Sequence, residues 1–283
     1  MAILTVSREY GSGGREIGRA VAEALGYEYV DKERLLSDIR AEGEKWAEWG
    51  KDLDEHCPTI WEKYDWSFRG FGALLQKAIL EYALRDRVVV MGRGAHFLLW
   101  EMPFALCVRV VAPLDARIER IMVRESVDRE TARWLAEKID NDRSCFIRIL
   151  YGKDWDHTDL FHAVLDTSKI SLEAAADRIV TMLKEREERR TPQAEEHLRM
   201  LAETARVRAG LAVNASIFLP TMEVVFDGEA IVLRGIIHNI REHERIDKLA
   251  RELAGDLPFK SALTYRSWFW IAMKPLCSRR LQT

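Results

Sequence analysis

Short, largely apolar stretches rich in β-favouring residues recur through the first two thirds of the chain, at 3–6, 27–30, 88–92, 105–111 and 163–166. Two of them, "VVVMG" and "ALCVRVV", scarcely alternate with polar positions, which is the pattern of parallel strands covered on both faces. Between these stretches the period lengthens to that of a helix. Ile17, Ala20, Val21, Ala24 and Leu25 fall at i, i+3, i+4, i+7 and i+8. Similar spacing predicts helices over 16–25, 70–85, 113–125, 129–150 and 171–187. Pro113 suits the first position of its helix, where a missing N–H costs nothing. Alternating strands and helices predict an α/β fold: a doubly wound parallel sheet, with ligands outside the carboxyl ends of its strands.

The pattern changes after "KEREERRTPQAEE" at 184–196, a charged run broken by Pro192, which divides a domain over 1–190 from the remainder of the chain. A helix over about 195–210 carries Leu198, Leu201, Ala202 and Ala205 on one face. Two short strands flank Asp227-Gly228, a hairpin turn signal. A helix with Ile246, Leu249, Ala250 and Leu253 and a strand near 260–266 complete a small α+β module of order αββαβ over 195–266. Leu198 and Leu201, with Leu249 and Leu253, are expected to cover a sheet containing Met222, Val224 and Phe226. That would make the module self-contained, with a binding role. A tail over 267–283 carries Trp268, Phe269 and Trp270 as a surface for a partner.

Composition narrows the possibilities. The 283 residues are 48% hydrophobic and 31% charged, ordinary for a globular protein with a real core. A net charge of −3 gives no general case for a nucleic-acid partner. Cys57, Cys107, Cys145 and Cys277 show neither metal-ligand nor redox-motif spacing, and His56 beside Cys57 has no matching pair. No metal site is therefore expected from these residues, and reduced thiols in a cytoplasm are expected. The first residues lack the basic and apolar regions of a signal peptide, and "WFWIAM" at 268–273 is too short to span a bilayer. A cytoplasmic protein without a transmembrane segment is the expectation.

The stretch that carries most chemistry is "SREYGSGGREIG" at 7–18. It joins the first strand to the first helix through Gly11, Gly13 and Gly14, a context in which backbone N–H groups and a helix N-terminus hold phosphate. An ordinary glycine turn is the other reading. The P-loop pattern G-x-x-x-x-G-K-[ST] asks for a lysine and a hydroxyl that are absent. With Gly13 as the second glycine, Gly14 and Arg15 take those two positions; one residue further on, Arg15 and Glu16 do. Arg8 and Arg15 are thus the candidates for the missing charge, and arginine would grip phosphate through a planar fork rather than as a point charge. The candidate phosphate-binding residues are Arg8, Gly11, Ser12, Gly13, Gly14, Arg15 and Glu16.

Further candidates lie beyond the loop. Arg93, in "VVVMGRGAHFLL", ends a buried strand and either faces the ligand crevice or sits in a surface turn. Arg117, Arg120 and Arg124 share a helix face, followed by Arg143 and Arg148; they either face a ligand or form a solvated face with Glu119 and Glu125. Trp46, Trp49, Trp61, Trp66, Tyr64, Phe68 and Phe71 could stack on a base, although aromatics this dense more often form a local core.

Taken together, these segments resemble the cytidylate-kinase-like proteins, a branch of the P-loop nucleoside monophosphate kinases. The resemblance rests on "LTVSREYGSGGREIGRAVAEALGY", "YVDKERLL", the "GRG" at 92–94, "APLDARIER", "IDNDRSCFIR" and "VLDTSKIS", in that order over about 1–188. It implies a P-loop kinase fold and the cofactors ATP and Mg²⁺. It also implies Asp31 near the acceptor nucleotide, Arg93 on the acceptor phosphate, and Arg143 and Arg148 as lid arginines. The sequence departs from the family in lacking the loop lysine, in having Gly94 where cytidylate kinases carry aspartate, and in Met91 at a strand end that is often acidic. "MEVVFDGEAIVLRGIIHNIREHERIDKLARELAG" at 222–255, with Gly228 and Gly235 at turns, resembles a BON domain, which implies a lipid or protein ligand. The activity implied is phosphoryl transfer from ATP to CMP or another pyrimidine monophosphate, with Arg15, Arg143 and Arg148 as catalytic residues. The alternative is a catalytically weak nucleotide-binding regulator whose kinase fold gates the BON-like module.

Overall fold

The structure is a computed structural model that describes residues 2–51, Cys57, Thr59, Glu62 and 65–266. Strands β1 (Ile3–Arg8), β2 (Glu28–Val30), β3 (Val88–Met91), β4 (Ala105–Val111) and β5 (Ala163–Asp166) form one parallel sheet of order β2-β3-β1-β4-β5. Ile3 of β1 lies opposite Val88 on one side and Ala105 on the other, so the first strand of the chain is the middle of the sheet. Its residues explain why it sits there. Ile3, Leu4 and Val6 are fully buried, and their alternation feeds two separate cores.

On one face, Leu4, Val6, Val89, Leu106 and Val108 pack against α1 (Gly14–Leu25) and α8 (Leu172–Glu187) through Ile17, Val21, Ile179 and Leu183. On the other, Ile3, Val88, Val90 and Ala105 meet α2 (Lys32–Ala41), α3 (Glu44–Lys51) and α4 (Trp66–Arg85). Three further helices, α5 (Ala95–Leu99), α6 (Leu114–Glu125) and α7 (Arg129–Tyr151), follow β3 and β4. This is the doubly wound arrangement expected. The expected strands and long helices are present, while α2 and α3 fall where the hydrophobic pattern gave no helix.

The aromatic stretch is a core rather than an open stacking platform. Trp46 is buried and meets Trp66 edge-on at 4.9 Å, Trp49 meets Phe68 at 5.2 Å, and the Trp49 indole donates to Ser67 Oγ at 2.7 Å. Trp61, Tyr64 and His56 lie outside the described residues, as do Cys277 and the tail with Trp268, Phe269 and Trp270. The expectation of four free thiols does not hold. Cys57 pairs with Cys145 of α7 in a disulfide, with Cα atoms 5.6 Å apart, and Cys107 is the free, buried thiol among the described residues. A sequence separation of 88 carried no sign of this pairing. No described helix is long and apolar enough to cross a membrane.

Beyond the first sheet, α9 (Pro192–Val213), β6 (Glu223–Phe226), β7 (Ile231–Ile237), α10 (Ile240–Ala254) and β8 (Phe259–Tyr265) follow the expected αββαβ order. β6 pairs antiparallel with β7, and β7 parallel with β8. Asp227 builds the turn between β6 and β7, accepting the N–H groups of Ala230 at 2.8 Å and Glu229 at 2.9 Å. Those donors, then Lys260, hold its carboxyl at about 2, below the usual carboxylate range.

One expectation about this module is corrected. Leu198 and Leu201 do not cover its sheet; with Ala194, Ala202, Ala205, Ala209 and Ala212 they face the first domain's core, against α4. The module's sheet is covered from α9 by Met200, Val207 and Leu211 instead, with Ile246 and Ala250 from α10. A helix with apolar residues on both sides is a buried helix shared by two cores. The alanines at three- and four-residue spacing let α4 approach closely.

Because α9 belongs to both cores, Leu198→Ala should destabilise the whole chain by about 2–5 kcal/mol and leave a single transition in calorimetry. Separate melting of the two halves, with only the first shifted, would show that α9 does not couple them.

Candidate functional site

β1 delivers the chain at Arg8 into the loop Glu9–Gly13, at the carboxyl edge of the sheet. Gly11 and Gly13 hold φ of +80° and +85°, which disfavours any side chain. Space forbids one as well: a Cβ at Gly11 would lie 3.0 Å from Arg117 O, and one at Gly13 only 2.5 Å from Leu172 Cδ2. Gly13 is also the N-cap of α1 and caps it with no side chain. By contrast α2, α4, α7, α8, α9 and α10 are capped by Asp31, Asp65, Asp128, Ser171, Thr191 and Asn239. The first-turn N–H groups of α1 are therefore left for a ligand or water, in the orientation that favours an anion.

The loop is held from behind. Buried Arg117 of α6 donates to Tyr10 O at 3.1 Å, to Ala112 O at 3.1 Å and to Asp140 Oδ2 at 2.5 Å. Asp140 also accepts the Tyr10 N–H at 2.8 Å, and Glu9 accepts the Ala112 N–H at 3.0 Å. Arg120 donates to Thr167 Oγ1 at 2.7 Å, and Thr167 Oγ1 donates to Ser12 O at 2.8 Å. Ser12 is fully buried, its hydroxyl donating to Glu9 O at 2.9 Å, so its side chain serves the loop rather than the crevice. Of the three arginines sharing a face of α6, two are thus scaffold. Only Arg124 reaches the crevice.

A cavity of about 400 Å³ opens in front of the loop. Its walls bring together Arg8, Gly11, Gly13, Gly14, Arg15, Glu16, Asp31 and Arg143, all candidates from the sequence. They also include Tyr10, Tyr29, Lys32, Arg124 and Glu125. Lys32 is a cation that the glycine-loop pattern does not point to; its signal is that it directly follows Asp31 in the strand-to-helix turn after β2. Tyr10 organises one wall. Its hydroxyl donates to Glu125 at 2.9 Å, and the guanidinium groups of Arg124 and Arg143 lie over its ring at 4.6 and 5.7 Å. Asp31 accepts the Arg34 N–H at 3.2 Å, so capping fixes it at the crevice.

Arg93 occupies an adjoining recess of about 20 Å³, which also touches Arg8 and Arg143. The turn around it is unusual: Gly92, Arg93 and Gly94 have φ of +71°, +55° and +72°. Tyr151 donates to Arg93 O at 2.7 Å, and a Cβ at position 94 would run into the Tyr151 ring. Gly94 therefore cannot be replaced by aspartate without moving Tyr151. Met91, at the end of β3, packs its sulfur where a Cβ on Gly18 would be. Arg148, exposed near the end of α7, lines neither cavity, and the structure does not bring it to the other candidates.

No group of three or more His, Cys, Asp or Glu among the described residues could hold an ion. Glu16 and Asp31 nevertheless stand on the crevice wall, and Mg²⁺ typically takes one or two carboxylates with phosphate and water oxygens.

Residues 3–169 match the cytidylate kinase-like family. Among similar proteins, the cytidylate kinase of Pyrobaculum aerophilum is 28% identical over 62% of this chain and 89% of its own length. That of Aeropyrum pernix is 32% identical over 59% of this chain and 91% of its own. An uncharacterized protein from Eubacterium ventriosum has a similar structure, with a TM-score of 0.51 at 22% identity, covering 65% of this chain and 99% of that one.

Beside the recess, His96 is buried, and burial followed by repulsion from Arg109 pushes its imidazole down to about 3. His162, whose Nδ1 accepts the Cys107 N–H at 2.9 Å, is pushed down to about 4 by burial. Both shifts are downward, so the unfolded chain takes up these protons first, near its ordinary histidine range. The stability they contribute is complete above about pH 6.5. It falls with pH toward 4 for His162 and 3 for His96, each with a limiting slope of about 1.4 kcal/mol per pH unit. Denaturant titrations of His96→Phe between pH 7 and 4 should show a shallower loss; an unchanged slope would remove His96 from the account.

Proposed function

The chain belongs to the cytidylate kinase-like family, and from that we propose that it transfers the γ-phosphoryl group of ATP to CMP or another pyrimidine nucleoside monophosphate. The relatives at 28% and 32% identity support a nucleoside monophosphate kinase-like function. The observation that carries the reading is the side-chain-free N-terminus of α1 at a crevice walled by Arg8, Arg15 and Arg143. The donor phosphates would lie on the first-turn N–H groups, with Arg15 at the exposed rim supplying the charge that the absent lysine would give. Asp31 and Arg93 would position the acceptor. An acceptor phosphate oxygen attacks the γ-phosphorus as the β–γ bridging bond breaks, giving ADP and the nucleoside diphosphate. Arg143, bonded to Arg8 O at 3.1 Å, would stabilise the migrating group. Arg148 is left out of this set because it lines neither the crevice nor its recess. Mg²⁺, when bound near Glu16 and Asp31, supplies further neutralisation of phosphate charge. The cytoplasm, where such nucleotides are held, is the proposed setting.

For the second module the αββαβ order supports a BON-like reading, with a lipid or protein ligand. A regulatory reading of the kinase half is favoured by the charge balance: Glu9, Glu16, Asp31, Glu33 and Glu125 face Arg8, Arg15, Lys32, Arg124 and Arg143. Turnover separates the two. A coupled assay with ATP and each monophosphate in turn should show the pyrimidine acceptors consumed; nucleotide binding without turnover on any of them would favour the regulator.

Two variants test the site itself. Gly13→Val should abolish the rise in melting temperature that millimolar Mg²⁺–ATP produces in the parent, because ligand stabilisation follows binding to the folded state. Arg15→Ala should lower turnover at least tenfold, about 1.4 kcal/mol of barrier, with the fold intact. Full activity in Arg15→Ala and loss in Arg8→Ala would move the charge to Arg8.

A further inference from the structure

A second cavity, of about 190 Å³, lies on the junction between the two halves and shares no lining residue with the crevice or its recess. Its walls come from the start of α4, the end of α7, α9 and the segment 217–222. They are mostly apolar, with Phe68, Leu150, Leu211 and Leu219 inside and Phe218, 65% exposed, at the surface.

Two cations break this apolar surface. Arg69 donates to Leu219 O at 3.0 Å, and Arg208 to Gln76 Oε1 at 2.7 Å. Both partners are neutral, and neither arginine forms an ion pair among the described residues. Glu223, the acid that acts on Arg208, is within 3.4 Å of Arg234 instead. Burial lowers the pKa of both guanidinium groups, and repulsion from Arg208 lowers that of Arg69 further. A charge withdrawn from water usually has a partner of opposite sign; here two half-buried like charges share one cavity with no ion-pair partner among the described residues. Trp66, on the same wall, buries its indole N–H with no acceptor among the described residues. The site therefore holds an excess of donors and positive charge inside a greasy wall.

We propose that this cavity binds a small amphipathic organic anion, its anionic head between Arg69 and Arg208 and its apolar body against Phe68, Leu150, Leu211 and Leu219. Size sets the limit. A cavity of about 190 Å³ suits a medium-chain carboxylate better than a diacyl lipid. The head alone would leave the apolar wall uncovered, and an uncharged body would leave both arginines unneutralised. Selectivity therefore requires both parts in one molecule. The site is independent of phosphoryl transfer, although Ile149 and Leu150 place it on the same helix as Arg143.

Calorimetric titration of the full chain with octanoate, octan-1-ol and inorganic phosphate tests this. Octanoate should bind at least tenfold more tightly than either of the others, and saturating Mg²⁺–ATP should not displace it. Arg69→Gln should weaken octanoate at least tenfold, and Phe218→Ala, at an exposed position that the fold does not need, should weaken it less. Equal binding of octanoate and octanol would overturn the anion head. Equal binding of octanoate and phosphate would overturn the apolar body. No octanoate binding at millimolar concentration, or unchanged binding in Arg69→Gln, would overturn the site.

Discussion

The buried Arg117 guanidinium is the interaction on which the crevice depends. It reaches Tyr10 O in the glycine loop, Ala112 O after β4 and Asp140 on α7, with Glu9 at 3.5 Å. One side chain thus fixes three separate pieces of chain at the carboxyl edge of the sheet. Burying such a charge is costly, and removing one member of a buried pair typically costs about 3–5 kcal/mol because the other is stranded. The arrangement is accordingly two-sided, with Asp140 also accepting the Tyr10 N–H. The loop's glycines can keep left-handed conformations because this clamp, not the loop, determines where the chain goes.

The same economy of charge explains the altered loop. An ordinary P-loop brings its own lysine. Here positive charge reaches the crevice from five other places: Arg8 at the end of β1, Arg15 on α1, Lys32 on α2, Arg124 on α6 and Arg143 on α7. Five carboxylates on the same walls, Glu9, Glu16, Asp31, Glu33 and Glu125, offset these charges. The first-turn N–H groups of α1 become correspondingly more important, since their partial charge is fixed in direction by the helix and no side chain caps them. On the proposed reading, phosphate recognition in this crevice would lean on backbone geometry more than on any single cation.

Much of this was legible in the sequence because β1 is short, apolar and followed at once by glycines. Periodicity gave the strand positions and the long helices, and motif order gave the family, which together located eight of the crevice residues. What periodicity could not give was direction. Arg117, Arg120 and Arg124 share a helix face, yet the first two point back into the loop and only the third faces the cavity. Arg148 carries the same chemistry as Arg143, but five residues along α7 turn it to solvent. Cys57 and Cys145 gave no signal because their pairing depends on tertiary proximity.

The placement of Leu198 has the widest consequence. The amphipathic pattern around it suggests one apolar face, and α9 has two. Its alanine-rich face completes the first domain's core against α4, and its other face completes the second module's core. A module joined by a linker can move while its neighbour stays still; one that shares a helix cannot, unless the helix leaves one of its cores. α9 itself, α4 and the helix that carries Arg143 also enclose the junction cavity, together with the segment 217–222. The second module is therefore part of the wall of the first domain, and a ligand held at that wall touches residues of both halves at once.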